Sequence, residues 1–291
     1  MSVIDETAAR PERVLAALGD PDRGPTLIVV GGLHGNEPAG WEAAQRVAAE
    51  IADREDELRG RLVFLTGNRT ALARGCRFVD RDLNRAWTDA QVERIRTEGP
   101  GDTVEDQEQA ELLMVLDQLL DESRGTPYLL DLHTTSGPGG PFTTVADALP
   151  ARELALRVPV PLVLGLEEMV DGTLHDWIGC TGTITVAFES GQHEESLAID
   201  RAEAAIWIMI EGLGLLPPER VPEAEEATAF LTEVGRGLPV ALEMRYRHPV
   251  HPGDTFEMLA GWENFRPVRR GEVLAHDRTG TVAPPEKGRM L

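Results

Sequence analysis

The stretch from Leu27 to Pro38 constrains the fold most, because it joins a buried strand to a turn that carries chemically active groups. Its first four residues are apolar and mostly β-branched, which predicts a buried strand. Two glycines then permit a tight turn, and His34 and Glu37 follow three residues apart. Pro38 suits the start of a helix. The imidazole and the carboxylate therefore lie where open α/β sheets place their chemistry.

Strand and helix patterns alternate along the next two hundred or so residues, which favours an α/β fold with parallel crossovers. Helices are predicted at residues 10–19, 38–58, 103–122, 152–157 and 197–215, and strands at residues 27–30, 62–65, 128–133, 143–145, 162–164 and 182–189. Residues 67–87 are rich in arginine and show neither period. We therefore interpret them as a long irregular loop, which inside a compact domain is usually functional.

The composition changes after Pro217 and Pro218. An acidic linker is predicted at residues 223–226, followed by short strands at 240–247 and 256–259. Residues 271–291 alternate short strands with glycine turns. These patterns predict two domains, a catalytic domain at residues 1–217 and a small β domain at residues 218–291.

The charge balance limits the partners of the chain. With 28 basic and 50 acidic residues, the formal net charge of −22 argues against nucleic acid or an anionic membrane surface. No apolar run approaches the ~18 residues that a membrane span needs. The first residues lack the pattern of a secretory signal, and the two cysteines fit a reducing compartment. We therefore expect a cytoplasmic protein.

A third metal ligand is predicted at His133, which ends an apolar strand just as His34 follows one. Both side chains can then project from the same edge of one sheet. Two imidazoles and the carboxylate of Glu37 form a ligand set for a catalytic zinc with an open coordination position. Iron, cobalt or manganese would also suit this set. Either histidine alone is more often structural, but the combination favours metal binding.

Other polar residues could complete a hydrolytic site. Glu189 ends a strand before a Ser-Gly turn and is the best-placed base for a zinc-bound water, although a plain strand-end acid is the alternative. Arg77 and Arg85 could bind a carboxylate or stabilise an oxyanion. Surface salt bridges are the alternative for this loop. Asp82 could orient the ring of a ligand histidine, or cap a turn.

Four motifs in this order resemble the succinylglutamate desuccinylase/aspartoacylase family, which belongs to the zinc carboxypeptidase-like folds. They are residues 32–37, Arg77 with residues 82–85, residues 131–133 and residues 188–191, and together they span most of residues 26–215. The resemblance implies an α/β fold with a mixed, mostly parallel sheet, helices on both faces, and a small C-terminal all-β domain.

The resemblance also implies a role for each matching residue. His34, Glu37 and His133 would bind one zinc ion per chain. Glu189 would act as general base and acid, and Arg77 would polarise the scissile carbonyl and steady its oxyanion.

The same resemblance extends to the substrate. Asn84 and Arg85 would hold its carboxylate, and Asp82 would support the ring of His34. Aspartoacylases carry a Tyr and an Arg shortly before the catalytic Glu, whereas residues 174–181 here contain neither. A pocket shaped by His175 and Trp177 for a different substrate stays open, beside the alternative of simple packing.

The function predicted is zinc-dependent hydrolysis of a small N-acyl amino acid or a similar carboxylate-bearing amide. A metallocarboxypeptidase that acts on short peptides is the second interpretation. A non-catalytic, metal-stabilised binding module is a third, and the presence of Glu189 argues against it. The expected partner is a small molecule, and a homo-oligomer stays open because no interface is identifiable.

Overall fold

The computed structural model describes residues 10–146, 148–251 and 253–291. The strands in these ranges are β1 (Val14–Gly19), β2 (Thr26–Gly31), β3 (Arg61–Thr66), β4 (Tyr128–Thr135), β5 (Phe142–Thr144), β6 (Leu162–Leu164), β7 (Ile184–Gln192), β8 (Ala241–Glu243), β9 (Glu257–Met258), β10 (Pro267–Val268), β11 (Ala275–Asp277), β12 (Gly280–Val282) and β13 (Gly288–Arg289). The helices are α1 (Ala39–Ala52), α2 (Arg69–Arg74), α3 (Asp89–Glu98), α4 (Val104–Glu122), α5 (Leu149–Ala155), α6 (Leu174–Gly179), α7 (Leu197–Gly212) and α8 (Pro222–Val234).

One large sheet organises the molecule, with the strand order β1-β3-β2-β4-β7-β5-β6-β8. The four central strands β3, β2, β4 and β7 run parallel to one another. Strand β1 pairs antiparallel with β3, and β5 pairs antiparallel with β7. Strands β6 and β8 continue parallel to β5. The predicted mixed, mostly parallel sheet is confirmed.

Helices cover both faces of this sheet. Along β2, Leu27 and Val29 belong to a core formed with α1, α5, α7 and α8, while Ile28 and Val30 belong to a second core formed with α3, α4 and α6. This alternation follows from the two-residue period of a strand. Burying each such side chain stabilises the fold by about 1.5–3 kcal/mol. The predicted arrangement of helices is therefore confirmed.

Two local predictions near the start of the chain are wrong. Residues 10–19 do not form a helix, because β1 pairs with β3 along residues 61–65 and this ladder outweighs a weak local preference. Residues 67–87 are not wholly irregular. The Oδ1 atom of Asn68 accepts a 3.0 Å hydrogen bond from the backbone of Ala71 and caps α2, which Gly75 ends.

The C-terminal part contains two small antiparallel sheets, β10 with β13 and β12-β11-β9, which confirms a small β unit. The predicted acidic linker at 223–226 is wrong, because those residues lie within α8. Helix α8 packs on α7, and β8 pairs with β6 in the large sheet. A domain boundary between residues 217 and 218 stays a prediction. Within the described ranges, no helix combines the length and apolarity that crossing a membrane requires.

Candidate metal centre and catalytic site

The turn after β2 brings two of the predicted ligands together. Gly32 has a φ of 74°, which favours glycine, and the chain then passes close to α2. A Cβ atom on Gly35 would lie 2.0 Å from the carbonyl carbon of Ala71, so only glycine fits there. The N–H of Gly35 donates to the carbonyl of Arg77 at 3.2 Å. This packing fixes the loop that carries His34 and Glu37.

The three predicted ligands meet at the carboxyl edge of the sheet. The Nδ1 atom of His34 lies 3.0 Å from Oε1 of Glu37, and Nδ1 of His133 lies 3.1 Å from Oε2 of the same carboxylate. The two imidazole centroids are 5.3 Å apart. One donor atom from each residue lies within 4.8 Å of the others, and all three residues are buried. Such an arrangement could hold a metal ion.

Each imidazole faces a second carboxylate with its other nitrogen. Oδ1 of Asp82 lies 3.0 Å from Nε2 of His34, the ring that the resemblance assigns to it. Oδ2 of Asp131 lies 3.0 Å from Nε2 of His133, a contact that we did not predict. The signal was present, because residues two apart on a strand share a face. A carboxylate in this position orients a ligand histidine and raises its basicity.

The charges around the cluster fit a cation. Burial would raise the pKa of Glu37, but hydrogen bonds with His133 and His34 outweigh it and hold that pKa well below the usual range. Burial would lower the pKa of His133, but Asp131 and Glu37 raise it well above the usual value. The surroundings thus favour positive charge on this imidazole. Two nitrogens and a carboxylate are ligands that zinc prefers, so the donor set fits the predicted ion.

Glu189 lies on β7 beside this cluster, in register with His133 of β4 and with Phe142 of β5. Its Oε2 atom is shielded from solvent and has no hydrogen-bond partner among the described residues. Burial raises the pKa of Glu189 to about 8, and the negative charge of Glu37 adds to this effect. The structure therefore places this carboxyl group beside the cluster, and one of its oxygens has no hydrogen-bond partner in the described ranges.

Arg77 connects the loop to the cluster. Its Nε and Nη2 atoms donate to Oδ2 of Asp82 at 3.1 and 2.9 Å, and its Nη1 atom donates to Oε1 of Glu37 at 3.5 Å. The side chain is 40% exposed, so its guanidinium also reaches the open cavity. Arg77 is thus placed beside the cluster rather than on the outer surface.

Asn84 and Arg85 also line the cavity. The Oδ1 atom of Asn84 accepts a 2.8 Å hydrogen bond from the backbone of Leu174, and its Nδ2 atom lies 3.5 Å from Nε2 of His133. The Nη1 atom of Arg85 donates to the carbonyl of Asn84 at 2.6 Å. Burial lowers the pKa of Arg85 from its usual value. Of the two, Arg85 retains more free donors for a ligand.

A buried carboxylate that the sequence analysis missed holds this loop. Glu105 of α4 accepts hydrogen bonds of 2.7 to 3.1 Å from the backbone N–H groups of Val79, Asp80 and Arg81. It also accepts one of 3.0 Å from Nδ2 of Asn68. An acidic residue in the first turn of a helix gives no hint of such a role, since acids are common there.

A cavity of about 730 Å³ opens over the cluster. Its inner wall includes Asp131, Thr144 and His175, and part of its roof comes from residues 258–264 and 290–291 of the C-terminal part. Pockets of this size accommodate small molecules.

The fold and the site together define a mixed α/β protein with a candidate metal centre at the carboxyl edge of its sheet. Residues 23–151 match the family model described as the succinylglutamate desuccinylase/aspartoacylase catalytic domain. The resemblance indicated by the motifs is confirmed by this match.

Individual relatives match a short segment. The succinylglutamate desuccinylase of Pseudomonas paraeruginosa is 40% identical over 70 residues, which is 24% of this chain and 21% of that protein. That of Pseudomonas fluorescens Pf-5 is 44% identical over 66 residues, 23% of this chain and 20% of that protein. The aligned part of this chain thus spans about a fifth of these relatives.

Solved structures show a similar fold over nearly the whole chain. The product-bound ectoine utilization protein EutE (DoeB) of Ruegeria pomeroyi has a TM-score of 0.65 and 20% identity, covering 94% of this chain and 80% of that one. A succinylglutamate desuccinylase from Silicibacter sp. TM1040 has a TM-score of 0.64 and 17% identity, covering 94% and 81%. These similarities establish the fold alone.

Proposed function

We propose that this protein is a zinc-dependent amidohydrolase that removes the acyl group from a small N-acyl amino acid or a similar carboxylate-bearing amide. The observation that carries the proposal is the meeting of His34, Glu37 and His133 in one cavity with Glu189 beside them. The family of residues 23–151 supports it.

One zinc ion per chain would be held by His34, Glu37 and His133. When bound, zinc supplies a Lewis acid that polarises a carbonyl group and makes a water molecule more acidic. The carboxylates of Asp82 and Asp131 would fix the two imidazole rings, because each lies 3.0 Å from an Nε2 atom.

Glu189 would move the protons of the reaction. Its carboxylate takes a proton from the attacking water while the water oxygen bonds to the carbonyl carbon. The same carboxyl group then gives that proton to the leaving nitrogen as the carbon–nitrogen bond breaks. The products are a carboxylate and a free amine. A pKa raised by burial to about 8 suits a group that must accept and return a proton near neutral pH.

Three further side chains would bind the substrate. Arg77 would donate to the oxyanion, because its guanidinium lies between the cluster and the cavity. Arg85, helped by Asn84, would hold the carboxylate of the amino acid part. The cytoplasmic location and a homo-oligomeric assembly stay predictions.

The test begins with the metal content of the purified protein and a screen of N-acyl amino acids beside short peptides. We expect Glu189→Gln to retain zinc and to lose about 10²–10⁴-fold in kcat, the usual contribution of a general base. Glu257→Gln, which changes an exposed acid on β9, serves as the matched control and should leave kcat unchanged.

Three results would contradict the proposal. Faster turnover of peptides than of N-acyl amino acids would favour a metallocarboxypeptidase. Zinc binding without hydrolysis of any amide would favour a binding module. Unchanged kcat in Glu189→Gln would remove that residue as the base.

A further inference from the structure

A row of residues behind the cluster forms a small chamber. In the register of the sheet, Asp131 of β4 and Thr144 of β5 both lie opposite Ala187 of β7. This row is two residues deeper than the row of His133 and Glu189, and therefore faces the same side. Because Ala187 has only a methyl group, space remains between its two neighbours. We name the surroundings of Asp131, Thr144, Ala187 and His175 the inner chamber.

His175 of α6 closes this chamber with a defined tautomer. Its Nε2 atom accepts a 2.9 Å hydrogen bond from the backbone N–H of Ala146, so the proton of the neutral ring is on Nδ1. Burial lowers the pKa of His175 to about 4, which keeps the ring neutral at physiological pH. The residue is 5% exposed, and Nδ1 has no hydrogen-bond partner among the described residues. It is a buried donor beside a cavity.

Two hydrogen-bond acceptors in the inner chamber are also buried. The Oγ1 atom of Thr144 and the Oδ1 atom of Asp131 are buried without a hydrogen-bond partner in the described parts of the chain. Leaving such groups unpaired costs about 1–3 kcal/mol each. A ligand with both a hydrogen-bond acceptor and a donor would satisfy them, and an apolar one would not.

The charges of the cavity argue against binding of a second substrate carboxylate in the inner chamber. Among the described residues that line it, Arg77 and Arg85 are the only arginines and none is a lysine. Arg77 is already paired with Asp82, and the proposed function assigns Arg85 to the carboxylate of the amino acid part. An anionic acyl chain in the inner chamber would meet the carboxylate of Asp131, with no arginine or lysine of the described lining left to balance it.

From this geometry we infer that the inner chamber selects an uncharged, hydrogen-bonding acyl group, such as one ending in a carboxamide, and rejects an acyl group that ends in a carboxylate. The inference rests on the proposed function, since it names the acyl part of that substrate. The Nδ1–H group of His175 donates to the oxygen of the terminal carboxamide. The N–H group of that carboxamide donates to Asp131 or Thr144.

The test uses three N-acyl derivatives of one amino acid that differ at the acyl terminus alone. The N-succinamyl compound ends in a carboxamide, the N-succinyl compound in a carboxylate and the N-butyryl compound in a methyl group. We expect kcat/KM of the zinc-loaded enzyme to be at least about tenfold higher for the carboxamide than for either of the others. Calorimetric titration of the same compounds into zinc-loaded Glu189→Gln should give the same order of affinity.

Two variants of His175 distinguish hydrogen-bond donation by Nδ1 from simple packing of the ring. In His175→Asn the amide nitrogen can take the place of Nδ1, whereas His175→Leu has no donor, and both lose the bond to Ala146. We expect the leucine variant to lose the preference for carboxamide over methyl by about tenfold, and the asparagine variant to keep most of it. Equal preferences in the two variants would contradict a role for Nδ1.

The outcomes distinguish the two proposals. If the N-succinyl compound is bound and hydrolysed best, the inner chamber inference is overturned and the proposed function stands. If the carboxamide binds best but none of the amides is hydrolysed, the chamber assignment is supported and the hydrolytic function is overturned. If none of the three compounds binds, or if the N-butyryl compound is preferred, the inner chamber inference is overturned, while the screen of N-acyl amino acids decides the proposed function.

Discussion

Asp131 and His133 lie two residues apart on β4, and Oδ2 of the first is 3.0 Å from Nε2 of the second. The two atoms lie at ion-pair distance, and a carboxylate close to the second nitrogen of a metal-binding imidazole can orient its ring. We expect Asp131→Asn to weaken zinc binding by about 10–100-fold, as measured by competition with a chelator. Asp89→Asn, at the exposed start of α3, is the control. An unchanged zinc affinity in Asp131→Asn would show that the contact has no such role.

The close approach of Gly35 to α2 predicts a second effect. In Gly35→Ala the new methyl group would overlap the backbone of Ala71, so the loop or the helix must shift. We expect a loss of about 1–3 kcal/mol in the free energy of unfolding, measured with urea, and weaker zinc binding. Gly125→Ala is the matched control, because a methyl group at Gly125 meets nothing within 4 Å. A variant as stable as the control would show that the turn adapts easily.

The buried carboxylate of Glu105 leads to a third prediction, which concerns the loop at residues 79–81. Glu105→Gln replaces one acceptor oxygen with an NH₂ group that faces backbone donors of residues 79–81. We expect a loss of about 1–3 kcal/mol in the free energy of unfolding. The KM for an N-acyl amino acid should also rise several-fold, since this loop carries Arg85. Exposed Glu98→Gln should alter neither quantity, and a Glu105→Gln protein that matched it would contradict the anchoring role.

His175 predicts a dependence of stability on pH. Its pKa in the folded protein is about 4, below the usual 6.5, so the unfolded chain binds the proton more readily. Stability from this group is complete above pH 6.5 and declines as the pH falls towards 4. We expect it to contribute a loss of about 2 kcal/mol between pH 7 and pH 4.5. Urea unfolding of wild type and His175→Asn at both pH values measures the difference.

The control for this pH dependence is His276→Asn, which changes an exposed histidine on β11. It should show the same loss between pH 7 and pH 4.5 as wild type. If His175→Asn also retained the full loss, other groups would be responsible for it.

The meeting of the candidate metal ligands was predictable because it depends on strand direction. His34 follows β2 and His133 lies near the end of the neighbouring parallel strand β4, and the carboxyl ends of such strands share an edge. Glu189 follows for the same reason, since β7 is the next strand along. These residues needed no knowledge of side-chain packing, and their position at the ends of apolar runs was sufficient.

The features that were missed depend on contacts between distant segments. The sequence Val14–Gly19 has a composition that suits a helix, but its pairing with β3 decides the outcome. The role of Glu105 arises only when α4 packs beside the loop. The proton of His175 is on Nδ1 because Nε2 accepts a hydrogen bond from the backbone of Ala146, which follows β5 and is distant in the sequence. Local patterns contain none of this information.

The two outer strands of the large sheet differ in what they offer to another molecule. Strand β8 is three residues long, and strand β1 is six residues long. A short edge strand offers few unpaired backbone groups with which a strand of another molecule can pair, whereas a longer edge strand is a template for strand addition. Of the two outer strands in the part of the chain that the structure describes, β1 therefore offers the longer template for strand addition.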